Sequence, residues 1–467
     1  MDAESEKACY PILLLEGFFD ESGITDQILK KDKKFIFGSK GSGKSAIGAR
    51  IELLAKDNPR LFVNQNFLGK FEYKKFSELF PGSESPESRY PTHWEFILLI
   101  AVLNNLKRDI DCQYDSSDNF YSLVNILDEI GVIPYNEFTD IVKKTYKGRF
   151  TVGILQGEMT SEKTKNEITI GKIYQDLKRV CYSVKTPNDH IIIIDGLDVV
   201  LSHREKQYKA LSALLTAAND MNMKFRENSV NVKIVVLCRT DLLNKMSDPN
   251  SNKFIQNFGI FLNWFQESDE LNQVNLIKLV NLRIKVSLNK EISISSFFPT
   301  TFEGNKETLK TLLEHTRHLP RDFIQLLNNI QGNTLHNIPS KNDIKSGIHA
   351  YSTNYFILEV RNTMSGFLDD NEEMADRIIQ LLTSMGKTIF SYNDIENKKK
   401  SDPRFTNINI IKTLELLFDM SAIGNYNPST KYVTFKYRNV HASFDPNQMI
   451  FIHKGLHKGL NLRYETF

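Results

Sequence analysis

Short apolar runs alternate with longer segments of helical periodicity along the first half of the chain. Residues 35–37, 190–194 and 232–238 are strand-length apolar runs, and residues 45–56 and 208–222 place apolar side chains on one face of a helix. Continuous apolar strands separated by helices are typical of a parallel sheet that is covered on both faces. The pattern therefore predicts an α/β fold whose first strand and helix are joined by a glycine-rich loop.

The second half of the chain has a different pattern. Residues 269–355 are mostly helical, with the clearest helices at 271–286 and 320–330. The last hundred residues predict helices at 371–384, 392–396 and 409–420, then strands at 422–426 and 432–437 joined by a turn at 427–430. Three helices followed by a β-ribbon is the order of a winged helix.

Composition and charge describe an ordinary folded protein. The 467 residues are 41% hydrophobic and 25% charged, and 59 basic against 57 acidic residues give a net charge of +2. Bulk attraction to nucleic acid is therefore excluded, although residues 398–467 carry eleven basic and five acidic residues, a local excess of +6. No apolar run could span a membrane, and the four cysteines show no metal-type spacing, so a cytoplasmic protein without a membrane partner is expected.

The strongest motif is the segment from Gly38 to Ser45, which matches G-x-x-x-x-G-K-[ST] between a predicted strand and helix. Its glycines let successive N–H groups converge on phosphate oxygens at the start of a helix. Lys44 is expected to bridge the β and γ phosphates of a bound nucleotide, and the Ser45 hydroxyl to hold Mg²⁺.

An acid at the end of an apolar strand is the usual partner of such a loop. Asp195 ends the run 190–194 and is predicted to be the carboxylate associated with Mg²⁺. Asp198 could polarise the attacking water, or it could be a turn or helix-cap residue. Because 151 residues separate Lys44 from Asp195, an insertion is predicted at about 64–153, which includes a turn-rich stretch at 81–91 and a helix at 94–106.

Two arginines complete the candidate site. Arg239 ends the run 232–238, at the edge where ligands bind in open α/β sheets, and could sense the γ phosphate or the attacking water. The alternative is a surface arginine paired with Asp241. Arg321 follows Pro320 in the first turn of a predicted helix, which would direct it toward the site from the helical subdomain. The alternative is that it pairs with acidic residues of its own subdomain.

Together these motifs resemble the STAND and AAA+ branch of P-loop ATPases. The segment 195–198, Asp-Gly-Leu-Asp, is similar to the D-G-x-D-E of NACHT-type members, and the segment 319–321 resembles the G-x-P-R sensor of their helical lid. Val199 replaces the second acid of the NACHT pattern, and His318 and Leu319 replace the usual glycine context. The resemblance implies ATP binding with slow hydrolysis.

The chain also resembles an uncharacterised bacterial family of P-loop ATPases that is often carried near antiviral genes. The shared parts are residues 40–46 and an end similar to residues 435–438 and 453–456. This resemblance implies an ATPase core at 1–265, a helical lid at 266–365 and a winged-helix domain at 366–467. The expected nucleotide contacts are Gly38, Ser39, Lys40, Gly41, Ser42, Gly43, Lys44, Ser45 and Ala46.

Three functions follow as hypotheses. The first is an ATP-dependent switch that forms a homo-oligomer, with Arg204 or Arg226 as donors to a neighbour's nucleotide, and acts in antiphage defence with an effector protein encoded nearby. The second is an ATP-regulated DNA-binding protein that resembles replication initiators and contacts nucleic acid through its basic winged helix. The third is a scaffold that binds ATP without turnover. The basic C-terminal module could equally serve as an intramolecular lock.

Overall fold

The computed structural model describes residues 2–20, 22–68, 71–80, 85–146, 149–155, 163–197, 205–243, 246, 251–268, 270–302, 304, 306–368 and 371–462. They form two compact units. The first comprises the described residues within 1–15, 20–39 and 44–262, and the second those within 16–19, 40–43 and 263–467. None of the described helices is both long and apolar enough to cross a membrane.

The first unit contains the helices α1 (Ala3–Cys9), α2 (Pro11–Leu15), α3 (Ile24–Lys30), α4 (Lys44–Lys56), α5 (Tyr73–Ser77), α6 (Pro86–Leu106), α7 (Ser117–Glu129), α8 (Phe138–Thr145), α9 (Ile170–Cys181), α10 (Glu205–Glu227), α11 (Thr240–Leu243) and α12 (Ser251–Phe258). Its strands are β1 (Phe35–Gly38), β2 (Leu61–Phe67), β3 (Arg149–Leu155), β4 (Lys163–Thr169), β5 (Asp189–Asp195), β6 (Val232–Arg239) and β7 (Gly259–Leu262).

Five of these strands form one parallel sheet in the order β2-β5-β6-β1-β7. The three central strands are buried almost throughout, because apolar residues such as Phe35, Ile192 and Val235 face helices on both sides. This confirms the predicted α/β fold with a P-loop NTPase core. The glycine loop leaves the carboxyl end of β1, and β6 lies between β1 and β5.

The structure adds elements that the apolar pattern does not predict. Strands β2 and β7 are the two edges of the sheet, and both contain partly exposed positions. The predicted turn-rich stretch 81–91 is wrong in its second half, because helix α6 begins at Pro86 and includes Pro91. Pro86 is the first residue of the helix, where the missing N–H has no intrahelical partner, whereas Pro91 lies inside the helix.

The second unit contains α13 (Asn275–Leu288), α14 (Thr308–Glu314), α15 (Pro320–Gly332), α16 (Lys341–Tyr351), α17 (Ile357–Phe367), α18 (Glu372–Ser384), α19 (Tyr392–Ser401), α20 (Ile410–Asp419) and α21 (Lys454–His457). Its strands are β8 (Ile389–Phe390), β9 (Ile423–Asn427), β10 (Tyr432–Thr434) and β11 (Met449–Ile452), which form an antiparallel sheet in the order β10-β9-β11-β8. Helices α18 to α20 with this sheet have the element order of a winged helix, and we refer to the preceding helices α13 to α17 as the lid subdomain.

The end of the chain packs closely on the lid subdomain within the second unit. A Cβ at Gly455 would lie 2.3 Å from the carbonyl oxygen of His315, and one at Gly459 would lie 2.4 Å from Ile357. The Gly459 N–H donates to Ser352 Oγ at 2.8 Å. Only residues without a side chain allow this approach, so the two glycines fix the C-terminal segment against the lid subdomain.

Candidate nucleotide-binding site

The glycine loop runs from the end of β1 into the first turn of α4. Gly41 and Gly43 have φ angles of +88° and +98°, a region that residues with a side chain rarely adopt. Such a backbone lets successive N–H groups face one anion, and the N-terminus of α4 adds its positive dipole end. The conformation therefore matches what a phosphate-binding loop requires.

Lys44 lies inside this loop. Its side chain is buried, and its Nζ donates to the carbonyl oxygens of Gly38 at 2.9 Å and Ser39 at 3.1 Å. Ser42 is also buried, and its Oγ has no hydrogen-bond partner among the described residues. A buried hydroxyl without a partner and an ammonium group bonded to neutral carbonyls fit an anionic ligand, because each could donate to phosphate oxygens.

Asp195 ends β5 at the same carboxyl edge of the sheet. It is buried, and its carboxylate accepts from the Gly196 N–H at 2.7 Å and from Gln65 Nε2 at 3.0 Å. Gly196 has a φ of +75°, a backbone conformation that glycine adopts more readily than other residues. The carboxylate is thus oriented by two donors, as a ligand for Mg²⁺ would need to be.

Gln65 is a site residue that sequence reasoning missed. It lies on edge strand β2, and a Cβ on Gly48 of α4 would approach its side chain to 2.9 Å. Gly48 therefore makes room for the amide that orients Asp195. The available signal was the polar run Asn64-Gln65-Asn66 near the end of a strand, where parallel strands present their ligand-binding residues.

Arg239 ends β6 and is aligned with Gly38 in the parallel register. The pairing with Asp241 that the sequence left open is present, with Nε to Oδ1 at 2.9 Å and a second bond from Nη2 to Oδ2. The arginine is buried rather than on the surface. Burial alone would raise the pKa of Asp241, but the charge and hydrogen bonds of Arg239 and the charge of Lys44 hold it below its ordinary value.

Arg321 lies in the first turn of α15, and its backbone approaches the tip of the loop within the second unit. The Arg321 N–H donates to the Gly41 carbonyl at 3.3 Å, and a Cβ on Gly41 would lie 3.1 Å from the Arg321 Cβ. Trp264 Nε1 donates to the Ser42 carbonyl at 2.8 Å, and Lys40 pairs with Glu359 at 3.0 Å. Residues 40–43 are therefore held by three other residues of their own unit.

The acid beside Arg321 has a different partner. Asp322 is fully buried and pairs with Arg317 through two bonds, Nε to Oδ2 at 2.7 Å and Nη2 to Oδ1 at 2.8 Å. Tyr355 donates a further bond to Asp322 at 2.9 Å. Among the residues that the structure describes, no salt bridge joins Arg321 to an acidic side chain of its subdomain.

His318 occupies the position where the resembling sensor motif has its glycine context. Its φ is +52°, so the backbone keeps a conformation that glycine favours although the residue is histidine. Its buried ring stacks on Tyr437 at 5.2 Å and meets Phe265 edge-on at 5.1 Å. Burial, and then the charge of Arg438, lower the pKa of His318 to about 4.

Basic and aromatic side chains of the C-terminal sequence pack around the rings of His318, Tyr437 and Phe265. Phe435 and Tyr437 stack at 5.3 Å, and the Arg438 guanidinium lies 5.6 Å from the Phe265 ring. Lys436 donates to the Ala442 carbonyl at 2.7 Å. These side chains are thus occupied by packing within the second unit.

Ser45 and Ala46 are half-buried in the first turn of α4, while Ser39 is exposed. Arg226, a candidate donor to a neighbour's nucleotide, pairs with Asp32 on the surface of the first unit. Asp198 and Arg204 lie outside the described residues.

A glycine loop that joins β1 to α4 in a parallel sheet, with a buried aspartate at the end of β5, defines the fold as that of a P-loop NTPase. A family model described as the FunZ-associated C-terminal helical domain matches residues 274–357, which contain helices α13 to α16. No curated protein sequence matches the chain.

Two solved structures are similar over nearly their whole length. The Orc1 protein of Aeropyrum pernix in complex with DNA has a TM-score of 0.39 and 9% identity, covering 94% of this chain and 90% of that chain. Cdc6p of Pyrobaculum aerophilum has a TM-score of 0.31 and 11% identity, covering 98% of this chain and 93% of that chain.

Proposed function

We propose that the protein is an ATP-binding, slowly hydrolysing molecular switch. The observation that carries the proposal is the loop itself: Gly41 and Gly43 have positive φ angles, Lys44 is buried, and α4 starts at that point. Asp195 and Arg239 end neighbouring strands at the same edge of the sheet. A phosphate-binding loop, a carboxylate and an arginine are the parts that phosphoryl transfer requires.

Each residue then has a role. The N–H groups of residues 41–45 and the Lys44 ammonium bind the ATP phosphates, and Ser45 and Asp195 hold Mg²⁺. Bound Mg²⁺ would neutralise charge that develops on the phosphate oxygens. Arg239 would sense the γ phosphate by exchanging part of its pairing with Asp241. Asp198 would polarise the attacking water, and the absence of a following acid supports slow turnover.

The interactions of residues 40–43 support a switch. The carbonyls of Gly41 and Ser42 accept from Arg321 and Trp264, and Lys40 pairs with Glu359. A phosphate that reorders these loop residues must change those bonds, so nucleotide state and the lid subdomain are coupled. Arg321 would then report the phosphate through its side chain. Homo-oligomer formation, a cytoplasmic role in antiphage defence and a nearby effector protein complete the proposal; they are supported by the resemblance to STAND-like ATPases.

Nucleotide binding can be tested with two lysines of one helix. We expect Lys44→Ala to lower ATP affinity at least a hundredfold in calorimetry, because the substitution removes a buried, charge-assisted hydrogen bond to phosphate. Lys56→Ala, at the exposed end of α4, is the matched control and should bind ATP like the wild type. Wild-type affinity in a folded Lys44→Ala protein would refute the site assignment.

The switch itself is tested by the mass of the particle in solution. Light scattering with ADP and with a non-hydrolysable ATP analogue should give a larger assembly for the ATP analogue. Identical masses in both states, with nucleotide bound in each, would count against nucleotide-driven assembly while leaving the binding site intact.

A second candidate function is duplex DNA binding through the winged helix. It is favoured by the basic last turn of α19, Lys398 to Lys400, together with exposed Lys412 on α20. Replacing residues 398–400 by glutamine should weaken DNA binding and reduce its salt dependence, by roughly one unit of slope for each phosphate that the protein no longer neutralises. Unchanged binding in that variant would argue against this function, as would an absence of binding by the wild type.

A further inference from the structure

A second polar cluster lies at the amino edge of the sheet, away from the glycine loop. It contains Asp109 and Cys112, from the segment after α6, and His190, the second residue of β5. The carboxylate, thiol and imidazole ligand atoms all lie within 4.8 Å of one another. Among the described residues, it is the one group of three such side chains close enough to share an ion.

Two of the three separations in this cluster, those that involve Asp109, are close to the separations around a bound metal. Asp109 Oδ2 lies 3.0 Å from His190 Nε2 and 3.4 Å from Cys112 Sγ. Tetrahedral Zn²⁺, with bonds of about 2.0–2.3 Å to oxygen, nitrogen and sulfur, sets its ligand atoms roughly 3.3–3.6 Å apart. A shift of a few tenths of an ångström would therefore let Asp109 share an ion with either of the other two ligands.

The surroundings hold these side chains in place. Thr186 Oγ1 and Asn188 Nδ2 donate to the Asp109 carboxylate at 2.6 Å and 2.8 Å. The His190 ring stacks on Phe62 with ring centres 4.9 Å apart and planes at 11°. Carboxylate and imidazole ligands oriented by neighbouring groups are typical of metal sites in proteins.

The exposure of the cluster also suits a cation. Asp109 and His190 are buried, whereas Cys112 is half-buried. Solvent could therefore supply a fourth ligand. His190 and Asp195 are five residues apart on β5, or roughly 17 Å at the rise of a parallel strand. The cluster is thus distinct from the Mg²⁺ position of the nucleotide site.

We propose that Asp109, Cys112 and His190 bind one Zn²⁺ ion. On binding, the metal replaces the thiol proton of Cys112, which goes to solvent, and bonds to the carboxylate and to Nε2 of the imidazole. The ion would join the segment after α6 to the start of β5, which are 81 residues apart in the chain. Its role is structural, because it would stabilise the folded state by binding that state alone.

The first test requires no mutation. The full chain, stripped of metal with a chelator, is treated with a thiol-alkylating reagent with and without Zn²⁺, and each cysteine is followed by mass spectrometry. We expect Zn²⁺ to slow modification of Cys112 at least tenfold and to leave exposed Cys9 unchanged as an internal control. Equal rates for Cys112 in both conditions would overturn the proposal.

The second test identifies the ligands with Co²⁺ as a spectroscopic probe. Wild-type protein should bind one Co²⁺ per chain and show a thiolate-to-cobalt charge-transfer band that Zn²⁺ abolishes. Cys112→Ser should lose the band and Asp109→Asn should weaken binding at least tenfold, whereas Cys9→Ser should behave like the wild type. A band that persists in Cys112→Ser, or no band in the wild type, would refute the assignment.

Discussion

The two edges of the parallel sheet assemble their polar groups in different ways. At the carboxyl edge, one loop of eight consecutive residues, 38–45, supplies most of the candidate phosphate site, and the ends of β5 and β6 add Asp195 and Arg239. At the amino edge, Asp109, Cys112 and His190 come from two segments that are far apart in the chain. The first site consists mainly of backbone, and the second of side chains alone.

This difference explains why only one of the two sites has a sequence motif. A loop that binds through N–H groups needs glycine wherever φ is positive, as at Gly41 and Gly43. The residues that form such a site are therefore close together in the sequence and produce a recognisable motif. A cluster of side chains forms when the fold brings three suitable residues together. The residues of such a cluster have no fixed spacing in the sequence, so no motif predicts the cluster. Motifs are therefore a guide to backbone sites more than to side-chain clusters.

The largest effect that we expect is a loss of ATP hydrolysis when the aspartate at the carboxyl end of β5 is replaced, but not when the aspartate at its amino end is replaced. Asp195→Asn should lower Mg²⁺-dependent ATP hydrolysis roughly a hundredfold or more, because a neutral amide is a poor ligand for a metal that stabilises transition-state charge by several kcal/mol. Asp189→Asn makes the same change at the exposed start of β5 and should keep hydrolysis within twofold of the wild type. Phosphate release under saturating ATP measures both variants.

An equal loss of hydrolysis in Asp195→Asn and Asp189→Asn would contradict the proposed role of Asp195. In that case the carboxyl edge would have no special role in hydrolysis. Binding of ATP in the presence of EDTA should be nearly unchanged in Asp195→Asn, which distinguishes loss of the metal from loss of the nucleotide.

A smaller effect is expected from strain in the loop backbone. Gly43 has a φ of +98°, and a Cβ there would meet no atom within 4 Å. In free Gly43→Ala the loop can relax away from this φ, so ATP binding must restore the strained backbone at a cost of about 1–3 kcal/mol, which corresponds to a loss of ATP affinity of roughly fivefold to a hundredfold. Calorimetry with ATP is the measurement.

Gly23→Ala is the matched control for that substitution. Gly23 has a φ of +61° and equally open surroundings, but it precedes α3 rather than the phosphate loop. It should lower the melting temperature slightly and leave ATP affinity unchanged. If Gly23→Ala reduced ATP affinity as much as Gly43→Ala, general destabilisation would explain both results. The effect of Gly43→Ala would then be no evidence that the loop binds ATP.

How much of the fold the sequence predicts depends on burial. The central strands β1, β5 and β6 are predicted at nearly their observed bounds, because strands covered on both faces need continuous apolar runs. The edge strands β2 and β7 are missed because the sequences 61–67 and 259–262 only partly face the interior. The winged helix does not follow this rule, because the hairpin β9–β10 is predicted although β10 is a partly exposed edge strand, whereas β11, which lies between β9 and β8, is not predicted.

The residues of the candidate site also divide into those that local sequence patterns predict and those that they do not predict. The loop residues and Asp195 follow from local patterns, and so does the pairing of Arg239 with Asp241, which are two residues apart. Gln65 does not, because its hydrogen bond with Asp195 depends on the pairing of β2 with β5 across 130 residues of chain. Such interactions depend on strand order, which an apolar pattern leaves undetermined.

The smallest expected effect tests whether that long-range hydrogen bond matters to the carboxyl edge. Gln65→Leu removes the bond from Nε2 to Asp195 Oδ2, while the bond from the Gly196 N–H remains. One hydrogen bond contributes about 0.5–1.5 kcal/mol, so the concentration of Mg²⁺ that half-saturates ATP hydrolysis should rise roughly threefold to tenfold. Gln113→Leu, at the amino edge, is the control and should leave that concentration unchanged. An equal rise in both variants would mean that Mg²⁺ affinity depends on the overall stability of the protein. A rise in Gln65→Leu alone would show that the edge strand β2, which has no sequence motif, contributes to the Mg²⁺ site.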